Sequence, residues 1–395
     1  MNTHHLSNPP ATEFAARRRG MVLVLATAAL IMILGFAAFS IDIGYIALTR
    51  TQLQGGADAA AMAAVQELPP GLTFGAWLTP GEVAVNARTV AVDIAGRHKA
   101  GDRLSAYCDG ERDVRFGQVT WDPVAGTWQK VWGVSPYNAV EVTLRRDQAA
   151  GGGDGPLPLF FSPVIGHRDA KLSVKAVAAI LPANGFYIPP GGGNAGILPF
   201  TLDEETWDNL INFNIGEGDL FHYNPETGAV TSGSDGIQEI NLYPAGNKDL
   251  PPGNRGTVDI GAENNSTSDL ERQIVYGLNE FDLNALGFPL NFDNGPLTMQ
   301  GDTGLSLGFK DALESVKGQS KALPIFRGMP VGNGNNAEYT IVKFVGVRIV
   351  EVKLNGNPKR VMIQPAPHVD PAATKDTTGT SVEDATMFTT ATLIQ

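Results

Sequence analysis

Apolar positions along the chain change their pattern several times, and each change predicts a different element. From Gly20 to Ile41, "GMVLVLATAALIMILGFAAFSI" carries no charge and is apolar all round. At about 1.5 Å of rise per residue, roughly 22 helical residues cover about 33 Å, enough for a hydrocarbon core of about 30 Å. Beyond Ile41 the pattern thins but stays helical. Asp42, Arg50 and Gln54 are polar, Ile46 and Leu53 are apolar, and Ala57 to Val65 is nearly all small residues. Gly55-Gly56 predicts a bend, because glycine costs about 1 kcal/mol against alanine inside a helix. Leu68-Pro69-Pro70-Gly71 ends the element. The expectation is one long helix with its first half in lipid and its second half in water.

The next pattern is a capped helix. Thr79 is placed to cap it, Pro80 stands at its first position, and Glu82 lies three residues after the cap. Val83, Ala87, Val90, Ala91 and Ile94 mark its apolar face. Strands are then predicted over Val114 to Trp121, Thr127 to Trp132, Ala139 to Leu144 and Leu172 to Leu181. The second and third bracket a turn at "GVSPYN". In the third, Val140, Val142 and Leu144 alternate with Glu141, Thr143 and Arg145, the period of a half-buried strand. The stretch "QAAGGGDGPLP" reads as a loop between the third and fourth strands.

"IPPGGGNAG" at 188–196 reads as a linker. Beyond it, turn signals multiply. Helices are expected at Thr267 to Gly277, capped by Thr267 or Ser268, and at Phe309 to Val316. A strong β segment, Tyr339 to Leu354, is interrupted only at Gly346 and pairs with Arg360 to Gln364 across "NGNPK". The fold class is therefore α+β. Its parts are a basic tail (1–19), a long helix (20–68), an α+β module of helix and antiparallel strands (69–187), the linker (188–196), and a β-rich α+β module (197–395).

Charge and composition narrow the function. Arg17, Arg18 and Arg19 precede the apolar run, which by the positive-inside rule holds the N-terminus in the cytoplasm and exports everything after Tyr45. A cleaved secretory signal has a shorter apolar core, about 7–15 residues, although "AAFS" offers a cleavage site. A retained single-pass anchor in the cytoplasmic (inner) membrane is the stronger reading. Asp42 is cheap at the outer interface and costs about 2.5–3.5 kcal/mol only if drawn to the bilayer centre. A net charge of -12 over 395 residues argues against nucleic-acid binding through a basic face. The single cysteine, Cys108, excludes an intrachain disulfide framework and is expected to be buried.

The segment "RRRGMVLVLATAALIMILGFAAFSIDIGYIALTRTQLQGGADAAAMAAV" resembles the N-terminal segment of TadE/TadG-like Flp pilus-assembly proteins. The pattern is carried by Gly20, Asp42, Gly44, Arg50, Leu53, Gln54, Ala57, Asp58, Ala60 and Ala61. "DTGLSLGFKDAL" and "YTIVKFVGVRIVEVKL" are similar to the far end of some large Tad-like proteins. The resemblance implies a non-catalytic, membrane-anchored assembly or minor pilin-like subunit without cofactor or small-molecule substrate. Its helix would pack on pilin-like partners through Ala57, Ala60, Ala61 and Ala64. Two features depart from the wider family. Leu25 stands at the fifth position after Gly20, where prepilin processing expects glutamate, so the apolar segment is expected to be kept. The von Willebrand factor A metal motif is missing too; its nearest formal match, Asp376-Thr377-Thr378-Gly379-Thr380, follows no apolar strand.

Catalytic signals are sparse. Asp302-Thr303-Gly304 matches an aspartic-protease loop, but such enzymes need two aspartates sharing a proton. An envelope hydrolase using Asp302 is nonetheless the rival reading. The histidines (His4, His5, His98, His167, His222, His368) do not fall at zinc-ligand spacing. Asp203, Glu204 and Glu205 read as the charged start of a helix rather than an acid/base pair. "SGSDG" and "NFDNG" lack the alternating ligands of a calcium loop, and "GGGDG" lacks the lysine of a phosphate loop. A surface adhesin is the third class, suggested only by Trp207 and Tyr223 as exposed aromatics.

Overall fold

The computed structural model describes residues 12–72, 74–147, 153–243, 250, 256–261, 266–286, 290–292, 294–301, 308–333, 336–356 and 358–394, with side chains from residue 22 onward. The long helix, α1, runs Thr12–Val65 without interruption, 54 residues or about 80 Å. It starts inside the expected basic tail, so Arg17, Arg18 and Arg19 lie on the helix. It also passes straight through Gly55-Gly56, where a bend was expected. A 3-10 turn over Pro69–Gly71 follows. In α2 (Pro80–Gly96) the expected cap forms: the Thr79 N–H and hydroxyl donate to Glu82 Oε2 at 2.8 Å each, and the Glu82 N–H donates to Thr79 Oγ1 at 3.3 Å.

A short α3 (Gly110–Asp113) leads into β1 (Val114–Asp122), β2 (Thr127–Trp132) and β3 (Ala139–Arg146). After these come β4 (Leu157–Pro158), β5 (Asp169–Ala170), β6 (Leu172–Ala179), β7 (Ala183–Phe186) and β8 (Leu202–Asp203). Then follow α4 (Glu204–Phe213), β9 (Phe221–Tyr223), β10 (Val230–Ser232), β11 (Ile240–Asn241), β12 (Val258–Asp259), α5 (Thr267–Tyr276) and α6 (Glu280–Leu286). The chain closes with β13 (Leu297–Gly301), α7 (Phe309–Ser315), β14 (Ser320–Phe326), β15 (Glu338–Lys353), β16 (Arg360–Pro365), β17 (His368–Asp370), β18 (Ala373–Lys375), β19 (Met387–Thr389) and β20 (Thr392–Leu393). The mixed α+β class is as expected.

The chain forms two compact units. One holds the residues up to Ala57 with Ala95–Cys108 and Thr143–Val174; the other holds Asp58–Ile94, Asp109–Val142 and everything from Lys175 on. In the first unit the 157–170 segment is a small hairpin. Leu157 pairs with Ala170 and Pro158 with Asp169, and the Leu159 N–H donates to the Arg168 carbonyl at 3.0 Å.

A five-stranded sheet has the order β2-β1-β3-β6-β20. The second and third strands are not a hairpin, as the turn at "GVSPYN" had suggested: β1 lies between β2 and β3. A central position explains why β3 is buried almost throughout instead of on alternate residues. Glu141, only 7% exposed on that strand, is met by Arg115 at 3.3 Å and Lys175 at 3.1 Å. Asn138 closes the end of the sheet. Its side chain accepts from the Val119 N–H and donates to the Val119 and Ile180 carbonyls, so a fully buried amide leaves those backbone groups satisfied.

The larger sheet is built around β15, paired antiparallel on its two sides along its length with β13, β14 and β16. Its run Phe344 to Val350 is buried on both faces, which is why the sequence there is apolar with little alternation. Tyr339 and Ile341 enter one core with Phe186, Ile260 and Leu283. Val345, Val347 and Ile349 enter another with Trp207, Leu210, Ile274 and Leu313. Gly346 does not interrupt the strand. A Cβ there would come within 2.3 Å of the Ala366 carbonyl oxygen and 2.5 Å of that of Thr386, so glycine permits a third layer of backbone to approach. The stretch 188–196 lies within the second unit, where the Ala195 and Leu278 backbones exchange hydrogen bonds at 2.8 Å. The helix expected at 267–277 is capped by Ser266, whose Oγ accepts from the Asp269 N–H, one residue before Thr267 and two before Ser268, the caps expected.

Candidate functional site

The residues that carried the family resemblance lie on α1, and the helix divides at Asp42. Before it, the large apolar side chains from Val22 to Ile41 are 50–73% exposed. From it onward one stripe is buried: Asp42, Thr49, Leu53, Gly56, Ala57, Ala60, Ala61 and Ala64. Spacings of three, four and seven residues, with Gly56-Ala57 and Ala60-Ala61 side by side, place these on one face. Asp42 is the first residue of that stripe and is 1% exposed.

The Asp42 carboxylate is a clamp. It accepts from the Phe160 N–H at 2.9 Å, the Phe161 N–H at 3.1 Å, the Ser162 N–H at 2.6 Å and the Ser162 hydroxyl at 2.6 Å. The Tyr45 ring, one turn on, stands 5.0 Å from that of Phe160. A charged group with this many donors is well satisfied out of water, whereas a bare buried carboxylate would be prohibitive. The three N–H donors open the 3-10 turn Ser162–Ile165, which Gly166 ends at φ +94°.

Higher on the helix, Gln52 Oε1 accepts from the Gly101 N–H at 2.9 Å. A Cβ on Gly101 would lie 2.8 Å from Thr49 Oγ1 and 2.5 Å from Leu157 Cδ1, and its φ is +68°, so both space and backbone demand glycine. Arg146, 2% exposed, ties these loops together. Its guanidinium donates to the carbonyls of Ala100, Gly155 and Pro156 and pairs with Asp102 at 2.8 Å. Gly56 is another close approach: a Cβ would meet His98 Cβ and Leu144 Cδ1 at 3.1 Å. The glycine expected to bend the helix instead lets neighbouring chain come near it.

Ala57, Ala60, Ala61 and Ala64 are fully buried in the folded chain. The small face is therefore taken up within the protein, and a second helix has access to the apolar half before Asp42 instead. Gly44 and Arg50 are exposed, with open space around Gly44. Gln54 and Asp58 are partly buried. Gly20 and the three arginines are on the helix, but their side chains precede the described ones. Ser162, Gln52 and Arg146 were not singled out from sequence. Only Ser162-Pro163 carried a signal, a serine before proline at a turn start, and nothing local linked it to a carboxylate 120 positions away.

The other candidates resolve into structural roles. Asp203 caps α4, accepting from the Thr206 N–H at 2.8 Å, and Glu204 is gripped by Arg327, with Nη2 at 2.8 Å from Oε1. Trp207 is 4% exposed, and the Tyr223 ring is covered by the Arg348 guanidinium 3.5 Å from its centroid, so neither is the free aromatic an adhesin would use. Arg348 is itself buried, which pushes its guanidinium down to about 10. The "SGSDG" turn is held from outside by Asp219, which accepts from the Ser234 hydroxyl and the Asp235 and Gly236 N–H groups, and its own Asp235 accepts from the Tyr223 and Ile237 N–H groups, so these oxygens serve the turn. Asp376 likewise accepts from Thr378 N–H and hydroxyl at 2.7 Å each. Cys108 is buried. No cluster of three or more His, Cys, Asp or Glu side chains suited to a metal exists among the described residues. Asp302, Thr303 and Gly304 lie outside the described residues, as does Asp293 of "NFDNG".

One arrangement escaped the sequence reading. Ser320 Oγ lies 3.2 Å from His368 Nδ1, and His368 Nε2 lies 3.2 Å from Asp370 Oδ2. Both ring nitrogens are thus engaged, and His368 and Asp370 are 6% and 3% exposed. Asp370 also accepts from the Gly196 and Ala372 N–H groups at 2.7 Å. Burial pushes the Asp370 carboxyl up, but the His368 and backbone donors outweigh it and hold it below the usual range. Burial pushes the nearby Lys321 ammonium down, against the pull of Asp370. The relay ties β14 and β17 to the 195–197 segment in the manner of a core polar network. A depressed carboxylate stabilises the fold in full above its ordinary range and loses that contribution as pH falls through its lowered value. Asp370→Asn is expected to cost about 1–3 kcal/mol at neutral pH and to flatten the acid limb of stability. Denaturant melts of both proteins across acidic pH check this; parallel acid limbs would contradict it.

Comparison with known families gives two matches. Residues 20–67 match the model described as putative Flp pilus-assembly TadE/G-like, and residues 57–178 match the one described as putative Tad-like Flp pilus-assembly. Their overlap, 57–67, covers the last turns of α1 and the two residues after it. No curated protein and no solved structure matches the chain significantly.

Proposed function

We propose that this chain, which is similar to TadE/G-like Flp pilus-assembly sequence over residues 20–67 and to Tad-like Flp pilus-assembly sequence over residues 57–178, is a membrane-anchored, non-catalytic component of a Tad-type pilus or secretion apparatus. It acts as an assembly or minor pilin-like subunit. Val22 to Ile41 spans the inner membrane once, Arg17 to Arg19 keep the N-terminus in the cytoplasm, and the folded units are exported.

The observation that carries this reading is the division of α1 at Asp42. A helix with a mean hydropathy of 2.7 and no burial over its most apolar window continues without a break into one whose buried stripe begins in the first folded unit, at Asp42, Thr49 and Leu53. A secretory signal has no reason to be rigidly continuous with a buried stripe, and a core helix of a water-soluble protein has no reason to leave Leu30, Ile33, Leu34 and Phe36 more than half exposed. The exposed half also offers partner helices their contact surface in the bilayer. Photo-crosslinkers at Leu30 and Phe36, introduced in the native cells, are expected to capture other pilus-assembly subunits. Capture of lipid alone, while pili assemble normally and a crosslinker on a known pilus subunit does capture its neighbours, would contradict the assembly role.

A further inference from the structure

The hairpin that Asp42 clamps descends along α1 toward its apolar half. Its base, Leu157, lies beside Gly101, which packs against Thr49 and whose N–H donates to Gln52 Oε1 at that level of the helix. Three residues on, Phe160 stands against Tyr45, and Phe160, Phe161 and Ser162 donate to Asp42. From Gln52 to Asp42 is ten residues, about 15 Å along the axis. The tip therefore sits where the apolar run ends. That tip is unusually greasy for an exposed turn. Phe160 is 64% exposed, Phe161 44%, Val164 89% and Ile165 67%. Exposed His167, Arg168 and Asp169 follow immediately.

We propose that this hairpin tip is a second membrane contact, in which Phe160, Phe161, Val164 and Ile165 enter the headgroup region of the leaflet that α1 leaves, with Arg168 on the side of the lipid phosphates. The inference rests on the reading of Val22 to Ile41 as a membrane span. Lipid is the occupant indicated because the apolar tip is continuous with the apolar surface of that span: the residue that fixes the tip, Asp42, directly follows Ile41. Exposed aromatic and aliphatic side chains with an arginine close behind them have a composition that partitions into an interface. The Asp42 clamp then sets the depth and tilt of the span, since the tip cannot be raised or lowered without the helix.

The test uses the full chain in a Cys108→Ala background, with a single cysteine replacing Val164, Ile31 or Leu104. Each is labelled with an environment-sensitive fluorophore and reconstituted into phosphatidylcholine–phosphatidylglycerol vesicles. Leu104, 82% exposed on the segment that meets Gln52, is the aqueous reference. At Val164 the probe is expected to be quenched by lipids carrying a shallow spin label and to be several-fold less sensitive to iodide than at Leu104. At Ile31 it is expected to respond to the deep label only. A Val164 probe as iodide-sensitive as Leu104, with Ile31 still in lipid, overturns the inference and leaves the span intact; it would direct the tip to a protein partner. Iodide sensitivity at Ile31 as well overturns the span and the inference together.

Discussion

Asp42→Ala is expected to release the 160–165 turn and destabilise the first unit by about 3 kcal/mol, since three backbone N–H donors each lose a charged acceptor. The loss stays below three full penalties because the exposed tip can turn its donors toward water. Asp42→Asn retains one acceptor oxygen and is expected to fall between wild type and alanine. Hydrogen exchange at residues 160–162 and limited proteolysis between 159 and 168 report the effect directly. Exchange in Asp42→Ala as slow as in the wild type would show that the turn stands without the clamp, and the packing of Tyr45 on Phe160 would become its main support.

The largest effect on membrane association is expected from Ile31→Arg combined with Leu34→Arg. Both residues lie near the middle of the apolar run, three positions apart, so the charges share a face. Each arginine adds about 2.5–3.5 kcal/mol at the centre of a span, while leucine, isoleucine, phenylalanine and valine each contribute only about −0.3 to −0.6. Two such charges together match or exceed the driving force of the whole run. The double variant is expected to leave the membrane fraction on alkaline extraction, whereas Ile31→Arg alone is expected to remain partly bound. A double variant that resists extraction as well as the wild type would mean that something other than this helix holds the protein on the membrane.

What could be read from the sequence was local. The cap of α2 was legible because Thr79, Pro80 and Glu82 stand within four positions and their hydrogen bonds close on themselves. The long helix was legible because helical periodicity and composition need no partner. Long-range arrangements were not. Nothing near Asp42 in sequence announces Phe160 to Ser162, and nothing near Ser320 announces His368. The strand order failed for a related reason: the turn at "GVSPYN" implied that β2 and β3 are neighbours, whereas Val114 to Gly117 pair with Ala139 to Val142 and leave β2 at the edge. Two glycines were misread in the same direction. Gly56 and Gly346 looked like interruptions because glycine lowers propensity, but both stand where another chain segment comes within contact distance. The alanines at 57, 60, 61 and 64 were read as a face for packing on partner helices, whereas their burial in the folded chain itself is a fact of tertiary structure.

The measurement that bears most directly on the membrane-anchor reading is a pair of reporter fusions. One reporter, active only in the cytoplasm, replaces the residues before Thr12; the other, active only outside the cytoplasm, follows Asp93. Both are expected to be active in the same cells, and both to remain with the membrane on extraction. Activity of a cytoplasm-only reporter placed after Asp93, or loss of the exported signal into the soluble fraction with a new N-terminus near Ile41, would contradict a retained span with its folded units outside.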